Sequence, residues 1–156
     1  MYTKMTKLWQ IKDVNKKVES FTVGNDYILD KVLLPYDCIA SAAHAKMLCK
    51  IGIISKSELT KLTKELMKIK DNPQFEIKVS DEDCHTAIEN QLTKKLGNIG
   101  KKIHTFRSRN DQVVAATKLY EKDELKEIIS LVKKLILVLK KVQNVPLPGY
   151  THMQKA

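Results

Sequence analysis

Helix-breaking residues are scarce in this sequence, with five glycines and four prolines in 156 positions. So few leave little room for turns, and the long stretches free of both favour helices. Paired cysteines are missing too. Cys38, Cys49 and Cys84 are odd in number and far apart. None has the close spacing of a zinc site, so the reading is free thiols, Cys38 and Cys49 in apolar helical surroundings, and no metal. No apolar run approaches the roughly 18 residues that suggest a membrane span. The opening Met1-Tyr2-Thr3-Lys4-Met5 has no apolar core of a secretory signal, so a cytoplasmic location is expected. Arginine is nearly absent: of 28 basic side chains, all but Arg107 and Arg109 are lysine.

What remains is the composition of a globular chain of one domain's length, 43% hydrophobic and 29% charged. The net charge of +10 raises the question of nucleic acid. The lysines are scattered over every helical segment, without interleaved aromatics, which fits solvated helix faces better than a binding stripe. The two arginines are more informative, because they flank a single serine, Ser108. A guanidinium offers a rigid planar fork for carboxylate or phosphate that lysine cannot imitate.

The first 35 residues read as irregular, with a turn at Gly24-Asn25-Asp26. A helix is expected from Asp37, as its cap, to about Lys50, with Gly52 ending it. Ser55 and Glu58 form a capping box before Leu59, Leu62, Leu66 and Ile69. Ser80 and Asp83 suggest a second box, before Ile88, Leu92 and Leu96, closed by Gly97. A loop made flexible by Gly100 should follow. From about Arg109 to Asn144 there is neither Gly nor Pro. Val113, Ala116, Leu119 and Tyr120 lead a helical pattern on the order of 50 Å long. Its stretch Leu135-Ile136-Leu137-Val138-Leu139 is apolar nearly all round and expects partners on several sides. The fold class is therefore all-α.

Three constellations carry chemistry. Ser108-Arg109-Asn110-Asp111-Gln112-Val113 lies where a loop turns into the long helix, and a helix N-terminus is a ready anion site. Plain N-capping by Ser108, Asn110 or Asp111, with the arginine exposed, is the competing reading. Asp83-Cys84-His85-Thr86-Ala87-Ile88-Glu89 places His85 and Glu89 one helical turn apart. It reads either as a polar wall near a charged ligand or as a capped helix with a surface ion pair. Gly149-Tyr150-Thr151-His152-Met153-Gln154 sets Thr151 at a helix start with His152 beside it, and histidine is suited to moving protons near neutral pH.

Together the strings S-R-N-D-Q-V, G-Y-T-H-M-Q and D-x-H-T-A-I-E resemble the argininosuccinate lyases of the fumarase/aspartase superfamily. Lys7-Leu8-Trp9, Leu33-Leu34-Pro35-Tyr36-Asp37 and Ala42-Ala43-His44-Ala45-Lys46-Met47-Leu48 are similar as well. The resemblance implies β-elimination of argininosuccinate to arginine and fumarate, without cofactor, in a homotetramer. It implies that Ser108, Arg109, Asn110 and Thr151 hold substrate carboxylates, that His152 is the catalytic histidine, and that His85 lies near bound substrate. It also implies an N-terminal helical domain over 1–107 and the start of a central helical bundle over 108–156. The sequence departs from the family in two places. Gln10 follows Trp9 where Gly-Gly-Arg-Phe is usual, and Gly24-Asn25-Asp26 stands where many members carry a substrate-contacting serine. The family's catalytic base sits on a serine loop much further along, so the chain by itself is expected to be inactive. The alternatives are a small basic helical protein binding nucleic acid or a partner, and a truncated chain that associates with a complementary one.

Overall fold

The computed structural model describes Phe21 and residues 24–143, which form helices and turns with no strand among them. The chain divides into two compact units, Met1–Tyr120 and Glu121–Ala156. Among the described residues no helix is long and apolar enough to cross a membrane.

The first unit opens with a short helix α1 (Asp26–Leu29) and then α2 (Leu34–Lys50). Helix α2 starts three residues earlier than its sequence suggests. Pro35 stands in the first turn, where a missing N–H breaks no intrahelical bond. Asp37 is consequently not the cap. Leu33 caps the helix without a side-chain bond, and Asp37 lies inside it, donating its own N–H to the Leu33 carbonyl at 2.9 Å. Leu34, Cys38, Ala42, Ala45 and Leu48 recur at helical spacing and form the buried stripe. Gly52, at φ +82°, ends the run.

Helix α3 (Lys56–Lys70) begins at the expected capping box: the Glu58 N–H donates to Ser55 Oγ at 3.2 Å, and the Ser55 N–H to Glu58 Oε2 at 2.7 Å. Leu62, Leu66 and Ile69 are buried, against α2 chiefly and α4 (Cys84–Leu96) next. Each fully buried leucine of this kind contributes about 1.5–3 kcal/mol. The second expected box is replaced by a different start. A 3₁₀ turn, Val79–Asp81, takes up Ser80, and Asp83 itself caps α4, its Oδ1 accepting from the Thr86 N–H at 2.7 Å. Ala87, Ile88 and Leu92 complete the core with Ile54, Ile77 and Ile103.

Gly97 ends α4, but the segment after it is not a flexible loop. Helix α5 (Asn98–Lys101) and a 3₁₀ turn, Lys102–His104, fill it. A Cβ on Gly100 would lie 2.4 Å from the carbonyl carbon and oxygen of Leu92. The glycine is there for close backbone approach. Helix α6 (Arg109–Gln143) then runs unbroken, as its lack of Gly and Pro suggests. In the first unit its inward residues are Gln112 and Ala116, while Tyr120 meets Tyr36 edge-on at 5.7 Å between ring centroids. Val113, expected inside from the apolar pattern, is 37% exposed; Gln112, at 0%, has the inner position. In the second unit the described residues continue α6, and Leu125, Ile128, Val132, Leu135, Ile136 and Leu139 are all exposed.

Two substitutions should move stability in opposite directions. Gly100→Ala drives a methyl into the α4 backbone and should cost about 1–3 kcal/mol. Phe106 is strongly exposed and holds φ +58°. Left-handed backbone costs a non-glycine residue about 1–2 kcal/mol, partly offset by the greater unfolded freedom of glycine, so Phe106→Gly should gain up to about 1 kcal/mol. Urea unfolding of both variants measures the pair; equal midpoints for the two would contradict this account.

Candidate anion-binding site

The start of α6 gathers side chains from α2 and α4 as well. Ser108 precedes the helix and forms a reciprocal box with Asp111. The Ser108 N–H and hydroxyl donate to Asp111 Oδ2 at 3.0 and 2.8 Å, and Ser108 Oγ accepts from the Asp111 N–H at 3.2 Å. These bonds hold the Asp111 carboxyl below the usual carboxylate range. The capping reading of Ser108 thus describes its bonds here. Asn110 is exposed, one residue past Arg109.

Arg109 is a third exposed and held on two sides. Its Nη1 donates to Gln112 Oε1 at 3.2 Å and its Nη2 to Thr86 Oγ1 at 3.1 Å. Its carboxylate contacts are longer, 3.5 Å from Nη1 to Glu89 Oε1 and 3.8 Å from Nε to Asp83 Oδ2. The short contacts come from neutral oxygens, which orient the guanidinium, while the two longer carboxylate contacts offset part of its charge. Arg107 lies deeper. Its Nη1 donates to Ser41 Oγ at 3.1 Å, while Nε and Nη2 are buried with no partner among the described residues. Burial lowers its pKa, opposed by the nearby Asp37 and Glu89.

Beneath the arginines sits Asp37, fully buried. Its Oδ1 accepts from the Ser41 hydroxyl at 3.2 Å. Its Oδ2 receives Gln112 Nε2–H at 3.0 Å and faces His85 Nδ1 at 3.0 Å. This corrects the pairing drawn from sequence. His85 does not bond Glu89 one turn on but Asp37 on α2, because a buried carboxyl group takes the donors within reach. Glu89 Oε1 instead meets His104 Nδ1 at 3.1 Å and Arg109. His85 is 1% exposed, so its ring belongs to the buried layer. Thr151 and His152 lie outside the described residues.

Sequence reading missed Asp37, Gln112, Thr86 and His104 as parts of this cluster. Gln112 stood in the S-R-N-D-Q-V string, but nothing local tells which of its neighbours turns inward. Also missed was Asp30, whose Oδ2 accepts the Cys84 N–H at 3.0 Å and so satisfies a free donor at the start of α4. Asp30, Cys84 and His85 bring metal-ligand atoms within 4.8 Å of one another. Burial pushes the Cys84 thiol far up, and Asp37 already holds His85 Nδ1, so a metal would have to undo both. Cys38 is likewise pushed up, to about 12, by burial first and Asp37 second. All three cysteines are free; Cys38 and Cys84 are buried and Cys49 partly so.

A family model described as "Lyase" matches residues 10–156. The chain is 48% identical to an argininosuccinate lyase of Thermotoga neapolitana, over 96% of this chain and 40% of that protein. An argininosuccinate lyase of Bacteroides fragilis is 42% identical, over 96% and 35%, and one of Xanthomonas axonopodis pv. citri 44%, over 96% and 37%. The chain thus spans 35% to 40% of the length of these relatives. None of them supports the alternative of a basic nucleic-acid-binding protein.

One histidine at the rim gives a pH signature. His44 Nε2 lies 2.9 Å from the Thr105 carbonyl oxygen, and burial lowers its pKa below the ordinary 6.5, with Arg107 and His104 adding to the effect. A lowered folded pKa means that the folded state binds the proton less well than the unfolded one. His44 therefore adds no penalty above about pH 6.5 and a growing one as pH falls below it. The stability of the unaltered chain relative to His44→Gln should decline from pH 7 to pH 5. Denaturant midpoints at both pH values measure this, and a constant difference would refute it.

Proposed function

This chain belongs to the lyase family whose model it matches, and from that membership we propose that it is the N-terminal portion of an argininosuccinate lyase, cleaving argininosuccinate to arginine and fumarate. The observation that carries this reading is Arg109: a partly exposed guanidinium at a helix N-terminus, aimed by the neutral oxygens of Gln112 and Thr86. Such an element suits a carboxylate, because planar fork and helix dipole act on the same anion.

In this proposal Arg109, Ser108, Asn110 and Thr151 hold the substrate's carboxylates. Ser108 acts from its place as helix cap, exchanging its bond to Asp111 for one to substrate or offering the helix end it fixes. His85 stays behind the bound ligand, bonded to Asp37. Removal of a proton from the carbon beside a carboxylate puts a second negative charge on that group. The C–N bond then breaks, the electron pair forms the double bond of fumarate, and the guanidino nitrogen leaves with a proton. His152 serves as the acid/base and charge-stabilising partner in these transfers. Fixed donors aimed at the carboxylate make the charged intermediate accessible, and losing one typically costs about 2.7–4 kcal/mol.

The proposal includes a cytoplasmic enzyme that works as a homotetramer, with residues 108–156 starting the bundle through which subunits associate. The exposed apolar side chains from Leu125 to Leu139 support association with other helices. The base is expected on a segment beyond those matched here. The test is fumarate absorbance with argininosuccinate as substrate, for the chain alone and mixed with the complementary C-terminal segment of an argininosuccinate lyase. Activity should appear on mixing, vanish with His152→Ala, and fall about 10²–10³-fold with Arg109→Lys. Inactivity of a mixture whose parts demonstrably associate would count against the reading.

A further inference from the structure

The amide of Gln112 has a carboxyl group at one end and a guanidinium at the other. Its Nε2–H donates to Asp37 Oδ2 at 3.0 Å, and its Oε1 accepts from Arg109 Nη1 at 3.2 Å. Both Gln112 and Asp37 are fully buried. The orientation of the amide is forced. A flip would put its NH₂ against the guanidinium and its oxygen against the carboxyl, leaving two buried repulsions in place of two bonds. A glutamate there would face Asp37 with like charge, and an apolar side chain would leave Arg109 without its inner anchor.

We propose that Gln112 is a positioning residue that transmits the fixed place of the buried Asp37 carboxyl to Arg109, so that one carboxyl group sets both the aim of the guanidinium and the tautomer of His85. The Asp37–Gln112–Arg109 relay stands on its own geometry; that it serves carboxylate binding rests on the functional reading above. Because Asp37 Oδ2 is an acceptor, the hydrogen facing it from the His85 ring is on Nδ1, leaving Nε2 of a neutral ring as the unprotonated nitrogen. Arg109 gains a contact fixed by α2 as well as the one from Thr86 on α4. Thr86, Glu89 and the cap Asp83 hold the fork from the α4 side, and Gln112 adds the contact tied through Asp37 to α2.

The relay makes an unusual demand that a swap of polarity can meet. In Gln112→Glu two acids face one another, and the new carboxylate still reaches Arg109, but as an ion pair that offsets its charge. The double variant Asp37→Asn with Gln112→Glu exchanges donor for acceptor between the two positions. The introduced amide donates to one oxygen of the introduced carboxylate, whose other oxygen accepts from Arg109. The second hydrogen of that amide faces His85 Nδ1, which must then be the acceptor, so the proton moves to Nε2. The double variant therefore keeps the arginine contact without the repulsion while reversing the histidine.

Nitrogen NMR of the 156-residue chain reads both ends, since Arg107 and Arg109 are its only guanidinium groups and Arg109→Lys assigns the signals. The unaltered chain should give a sharp, shifted Arg109 Nη–H signal and an Nδ1–H His85. Gln112→Met should return that signal towards the value of free arginine and weaken fumarate binding by about tenfold, the loss of one charge-assisted bond. The double variant should keep the shifted Arg109 signal but not recover fumarate binding, since its carboxylate lies against the guanidinium, with His85 now Nε2–H. Gln112→Met leaves the buried Asp37 short of one donor, so its thermal midpoint falls, and retained helical circular dichroism at the measuring temperature shows that it is folded. An Arg109 signal indifferent to Gln112→Met, or a folded double variant without the shifted Arg109 signal, overturns the relay. A relay that behaves as described in a chain that binds no fumarate overturns the functional reading alone; fumarate binding unaffected by Gln112→Met overturns the positioning role alone.

Discussion

The carboxyl group of Asp37 is the constraint on which the first unit turns. Placing such a group where water does not reach costs several kcal/mol unless donors replace the lost hydration. Three donors do so, and each comes from a different helix: Ser41 on α2, His85 on α4 and Gln112 on α6. The apolar stripes of α2, α3 and α4 bring the helices together but act without direction. The donors around Asp37 fix their rotation, because a helix turned by one residue carries its donor some 100° away. Removing one partner of a buried pair is commonly worth about 3–5 kcal/mol, more than one leucine's burial contributes.

The same carboxyl group organises the surface above it in two branches. One runs through Gln112 to Arg109, the other through Ser41 to Arg107. Neither branch is an ion pair. Amide and hydroxyl oxygens hold Arg109 at short range, and the carboxylates of Glu89 and Asp83 offset part of its charge from 3.5 and 3.8 Å. Glu89 is partly occupied by His104 as well. The helix N-terminus adds its dipole, and Ser108 with Asp111 keeps the first turn from fraying.

What could be read from the sequence, and what could not, divides by range. The Ser55–Glu58 box, the stop at Gly97 and the unbroken helix from Arg109 depend on residues within a few positions of one another, and these stand as expected. The importance of Arg107 and Arg109 was visible in composition. Asp37 looked like a cap because caps are the common use of aspartate near a helix start. Its true partners lie up to 75 positions away, and no local pattern announces them. Gln112 was hidden by its neighbour: a periodicity count prefers Val113 inside, and only the donor requirement of Asp37 reverses that choice. Gly100 carried no sign that another backbone passes within contact of it.

The use of arginine in a chain otherwise given to lysine follows from this arrangement. A lysine at 109 has one nitrogen, and could not reach Gln112 and Thr86 from two edges of a plane. At 107 a compact ammonium group would be hydrated more strongly and so cost more to bury than the delocalised guanidinium. Lysine is sufficient where only charge and solvation matter, and most of the chain's basic side chains lie in such places. Where a cation must be aimed, its geometry is worth more than its charge, and the two arginines stand where the buried carboxyl group can aim them.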